Sequence, residues 1–179
     1  MRLAFKVVLI VFVFIIAAFW VFGKFNINYG KWNSLNEKFG LNETQFLPNG
    51  SAQRALYEGE ATKMEVDLRM PWNDSEVADL AKARLQFLDA VRLMEDAQEK
   101  GSNEAGVSPN CSPTSNLGKA KAEVERAIVL LEGASALQEK TVHAHEEQLP
   151  YAETGALEAM QALLGQWNIV LQQLKQYCA

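Results

Sequence analysis

The side chains best suited to metal or acid–base chemistry stand together at His143, His145, Glu146 and Glu147. Two histidines on a helix face one ion when they lie three or four residues apart. These two are two residues apart, which turns them roughly 200° from each other at 3.6 residues per turn. The cluster therefore reads as a solvated helix end beside a turn. The remaining carboxylates sit beside Lys and Arg and read as the exposed faces of salt-laced helices. No Glu-x-x-His marks a di-iron bundle, and no Cys-x-x-Cys-His attaches haem. There is no Gly-rich phosphate loop and no Gly-x-Ser-x-Gly elbow. The sequence thus names no catalytic, cofactor-binding or metal-ligating residue, and the expectation is a protein that is not an enzyme and holds no cofactor.

The second candidate chemistry is thiol oxidation. Cys111 and Cys178 are the only cysteines. An even count outside the cytoplasm invites a disulfide. If two helices form an antiparallel hairpin turning near Pro150, Cys178 comes level with about residue 122, and the loop before it can fold back to that point. The alternative is two separate thiols, with Cys178 filling a seam position as a small hydrophobe. Four Asn-x-Ser/Thr sequons, at Asn42, Asn49, Asn73 and Asn110, fall in expected loops or at a helix cap and matter only in a eukaryotic secretory host.

The helices that would carry these residues are preceded by an anchor. Val7 to Gly23 carries no charge. Its 17 residues rise about 26 Å as a helix, against a hydrocarbon core of about 30 Å. Leu3, Ala4 and Phe5 extend it if Lys6 snorkels to the headgroups. Trp20 and Phe22 suit the far interface. A cleaved signal would need small residues in an A-x-A arrangement, and the run ends instead in bulky rings. We therefore expect residues 1–24 to be an uncleaved, single-pass signal anchor, contacting the bilayer through residues 3–23. The short tail with Arg2 and Lys6 favours a cytoplasmic N-terminus and places the rest in the periplasm, lumen or outside. From Lys24 onward the chain carries 15 basic and 22 acidic residues, a net −7, so no nucleic-acid partner is expected.

Residues 25–50, rich in Asn, Gly and aromatics, are expected to be a juxtamembrane linker. Trp32, Leu35 and Phe39 either share one face of a short helix at the membrane surface or dock singly on the bundle. Residues 51–70 read two ways: a helical stripe of Tyr57, Ala61, Met64 and Leu68, or an alternating strand of Met64, Val66, Leu68 and Met70. Their helix-forming composition favours the helix. Pro71 breaks that element. Asn73 and Glu76 resemble a capping box, with Trp72 and Val77 as a hydrophobic staple, for a helix over 74–100. Residues 101–116 read as a loop. A helix over 116–148 carries the heptad seam Leu117, Ala120, Val124, Ala127, Leu131, Ala134, whose alanines imply close approach to a neighbour. Beyond Gly133 that seam turns polar through Gln138, Thr141 and His145. After Pro150, a helix over 152–178 keeps the same alternation through Leu157, Met160, Leu164, Trp167, Leu171 and Leu174.

The expected fold is all-α: an N-terminal single transmembrane helix followed by a three- or four-helix antiparallel bundle over 51–179. The expected function is that of a membrane-anchored, non-catalytic accessory or scaffold subunit. It would act through contacts with another membrane or extracytoplasmic protein. The alternative is a ligand-binding bundle with an apolar pocket near Trp167, Met160 and Phe87.

Overall fold

The computed structural model describes residues 2–42, 44–70, 73–102, 111–145, 149 and 151–178; the side chains of 2–9, 18–23, 151 and 152 lie outside that description. Five helices occur among the described residues: α1 (Arg2–Lys38), α2 (Ser51–Leu68), α3 (Ser75–Ser102), α4 (Asn116–Ala144) and α5 (Tyr151–Tyr177). No strand occurs among them. The fold is an all-α bundle.

Residues 51–68 are helix because the helical stripe buries its side chains and the strand alternation would not. Tyr57, Ala61 and Leu68 are buried, whereas Val66 and Met70 are exposed. The linker expected over 25–50 is a helix as far as Lys38. The chain leaves the apolar run without a break, since neither Pro nor a turn sequence interrupts 24–38. Phe25, Asn28, Trp32 and Leu35 are buried at spacings of three, four and three, a heptad face of their own. Sequence reasoning offered Trp32 and Leu35 as part of a helical face but missed Phe25 and Asn28, because asparagine is a poor helix former and breaks the apolar pattern.

α3 and α4 pack antiparallel and make the most extensive helix–helix contact. Lys100 at the end of α3 meets Glu123 near the start of α4, and Thr141 near the end of α4 reaches the Glu76 carbonyl. Ala83, Ala90 and Ala97 on α3 recur every seven residues, as do Ala120, Ala127 and Ala134 on α4, and all six are buried. Small residues let two backbones approach closely. The neighbour that the α4 alanines approach is therefore chiefly α3, with α5 packing antiparallel on the other side. Leu117, Val124 and Leu131 are buried on α4, and Met160, Trp167 and Leu171 on α5. Leu157, Leu164 and Leu174 are only half-buried, because α5 packs mainly against one neighbour.

Two expected helix ends differ. α3 is capped by Asp74, whose carboxylate accepts from the Glu76 backbone N–H at 2.8 Å, while Asn73 turns back to the Asp67 carbonyl. Aspartate at this position favours the positive helix start more than asparagine does. The staple residue Trp72 lies outside the described residues, as does the preceding Pro71. α4 stops at Ala144, short of the expected 148. Its start is capped by Ser115, which accepts from Gly118 N–H at 3.0 Å. A Cβ at Gly118 would lie 2.0 Å from the Ser112 carbonyl oxygen, so glycine is what lets the turn after Cys111 fold over the helix start.

Among the described residues no helix is long and apolar enough to cross a membrane. The Val7–Gly23 run lies within α1, but much of it falls on side chains outside the description. Of those described, Ile10 through Ile16 are all exposed.

Candidate functional site: a buried carboxylate latch

Among the described residues, buried polar chemistry is concentrated around Glu153, in the first turn of α5. Its residue is 1% exposed, so a carboxylate read from sequence as part of a salt-laced surface belongs to the core. An ionised carboxylate survives burial only when its lone pairs are filled by donors. Here they are. Trp32 Nε1 donates to one oxygen at 2.9 Å. Arg84 Nη2, at 3.2 Å, and Gln138 Nε2, at 2.6 Å, donate to the other. Gln138 Nε2 also reaches the Glu153 carbonyl at 3.0 Å. Arg84 Nη1 donates to the Phe46 carbonyl at 2.8 Å.

One carboxylate thereby gathers α1, α3, α4 and α5, and through Arg84 the segment between α1 and α2. The polar turn of the α4 seam now has its explanation: Gln138, fully buried, donates into this network, and Thr141, also fully buried, donates to the Glu76 and Leu137 carbonyls. The network also carries a cost. Arg84 Nε, Gln138 Oε1 and the Tyr29 hydroxyl are buried without a protein partner.

α2 joins through an aromatic cluster. Tyr57 donates its hydroxyl to Asn36 Oδ1 at 3.0 Å. Its ring stands edge-on to Phe39 at 5.3 Å and tilted to Trp32 at 6.4 Å. Burial pushes the Tyr57 phenol above its usual range, with Arg84 opposing and Glu153 adding a smaller push. Burial and then Glu153 raise the Tyr29 phenol in the same way. The expected stripe of Trp32, Leu35 and Phe39 thus lies against the bundle.

His143 is exposed, as a solvated helix end requires. His145 differs from that reading. It is half-buried, its Nε2 contacts Glu76 Oε2, and its ring stacks on Phe25 with centroids 3.6 Å apart. These contacts hold the first bundle-facing turn of α1. Glu146 and Glu147 lie outside the described residues. Among the described residues no group of three or more His, Cys, Asp or Glu could hold a metal ion.

At the opposite end of the bundle Cys111 and Cys178 are bonded, with Cα atoms 5.6 Å apart. The structure also brings Phe87 and Trp167 to one open groove of about 400 Å³, with Phe46, Val91, Met94 and Leu163. Met160, grouped with them in the sequence reading, is instead fully buried in the core. No signal in a single sequence singled out Glu153 or Arg84. The polar turn of the α4 seam at Gln138 was the one available pointer. No known protein family, curated protein or solved structure matches the chain.

Proposed function

We propose that the chain is a single-pass membrane protein whose bundle acts as a non-catalytic accessory or scaffold subunit, with the N-terminus in the cytoplasm and residues 24–179 outside it. The observation that carries the reading is the run from Ile10 to Ile16: seven consecutive apolar side chains, 49–71% exposed. A helix apolar on every side has no face to offer water, and hydrocarbon is the solvent that suits it. The same helix continues unbroken into the Glu153 latch, so the bilayer and the bundle would be joined by one rigid element. The disulfide fits an oxidising compartment. The partner in this reading is another membrane or extracytoplasmic protein.

The chain is expected in the membrane fraction after alkaline washing, and protease added to intact cells or spheroplasts should digest the bundle. Recovery in the soluble fraction rejects the anchor; full protection from protease rejects the orientation. Pull-down from detergent-solubilised membranes tests for the partner.

The groove at Phe87 and Trp167 favours a second reading, an apolar ligand bound between α3 and α5. Saturable binding of an apolar fluorophore, abolished by Leu163→Arg, is its expected signature. Binding that this substitution leaves intact rejects the groove as its site.

A further inference from the structure

α5 has a second face. Its inner seam packs on the bundle, and on the opposite side Ala162, Gly165, Ile169, Gln172 and Gln176 succeed one another at spacings of three and four. All five are exposed. One observation sets this face apart and two more describe it. First, residues 159–174 contain no Asp, Glu, Lys or Arg, whereas no other helix segment after residue 24 exceeds six residues without one. Second, Ile169 is 57% exposed and its neighbour Val170 36%. Third, a Cβ at Gly165 would meet nothing within 4 Å, so the chain's own packing does not require glycine there. A glycine inside a helix costs about 1 kcal/mol relative to alanine. The helical glycines Gly30, Gly59 and Gly101 are equally open, but each adjoins a charged residue.

We propose that this α5 face pairs with the same face of a second copy of the chain, in parallel, about a two-fold axis. In such an interface each residue near the axis meets its own copy. A charged face would set like charge against like, and the part beyond the anchor carries a net −7. The uncharged face of α5 escapes that penalty. Alanine and glycine layers admit close approach, Ile169 supplies an apolar layer, and each glutamine amide can both donate to and accept from its copy. The direction comes from the anchor reading, on which this part of the proposal rests. The first turn of α5 holds Glu153 beside α1, and the helix runs away from it toward Cys178. Two copies inserted in one membrane would therefore hold their α5 helices parallel. From Ala162 to Gln176 the face rises about 21 Å, a small contact, so confinement in a membrane plane would strengthen the pair.

The test uses the full chain in lipid vesicles, with single substitutions Ile169→Cys and Val129→Cys. Val129 on α4 is 66% exposed and is the control. The native cysteines are tied up in their disulfide, so a bismaleimide reports the new thiol alone. A dimer band from Ile169→Cys and none from Val129→Cys is expected. Loss of the wild-type dimer in Ile169→Arg, with helical circular dichroism retained, is the second expected result. No dimer at Ile169→Cys, or equal crosslinking at Val129→Cys, overturns the proposal. The anchor reading is judged separately by fractionation. The same crosslinks in detergent-free solution test the α5 face if the chain proves soluble.

Discussion

The two ends of the bundle are held by different physics. Around Glu153, helices meet through hydrogen bonds and charge, with fixed directions and buried partners. Toward Cys178, the core is Ala90, Met94, Ala97, Ala120, Val124 and Leu171, closed by a covalent bond. Apolar packing is non-directional and tolerates a shifted partner. A carboxylate with three matched donors does not. We therefore expect the first end to set the register in which α1 and α5 meet the bundle, and the second to contribute stability and the close pairing of α3 with α4. The cation–carboxylate pairs along α2, such as Arg54–Glu95 and Arg92–Glu58, are largely exposed and add little to either.

Breaking the covalent end should give the largest effect. Replacing both cysteines by alanine removes a link across 67 residues, worth about 4.4 kcal/mol in the chain-entropy account. Denaturant unfolding should shift by that order, while the native environment of Trp32 stays unchanged. At the polar end, Glu153→Leu leaves the Arg84 charge buried and unpaired and should cost about 3–5 kcal/mol. Adding Arg84→Met should recover most of the loss, but with hydrogen exchange at α1 faster than in the wild type. A double variant that protects α1 as fully as the wild type would show that the latch does not set register.

Leu131→Ala, at a fully buried seam position, should cost about 2–5 kcal/mol. Leu164→Ala, half-buried, should cost less. Equal losses would mean that α5 is covered by something beyond the chain. Trp32→Phe keeps the ring contact and removes one donor to Glu153, for a loss of about 1–3 kcal/mol. Its effect should be confined to α1, seen as protease cleavage between α1 and α2 before the bundle unfolds.

The smallest effect separates the ends by pH. Tyr29 and Tyr57 have folded-state pKa values above their ordinary 10.0, chiefly through burial. Above pH 10.0 the unfolded chain releases these protons and the folded chain keeps them. The folded state then binds more protons, so stability falls as pH rises. Ultraviolet titration should show two of the four tyrosines ionising only as the protein unfolds. Normal titration of all four in folded protein would remove the phenols from the sealed polar end.

Read alone, the amino-acid sequence carries the apolar run, the helices after residue 50 to within a few residues, and the seams of α4 and α5. These depend on periodicity and on local breakers such as glycine, proline and capping side chains, which act over three or four neighbours. It also places two cysteines where a hairpin could join them. What it leaves undecided is which polar residues go inside. Glu153 resembles any other helix-borne glutamate until its donors arrive from 15, 69 and 121 residues away in the chain. Asn28, Trp32 and Asn36 read as linker until α1 lies against α2 and α3. The alanines of α4 called for a close neighbour, but only the matching seven-residue series on α3 decided which helix it was. The cost of burying a charge is settled by its partners, and those partners are assembled only when the helices pack.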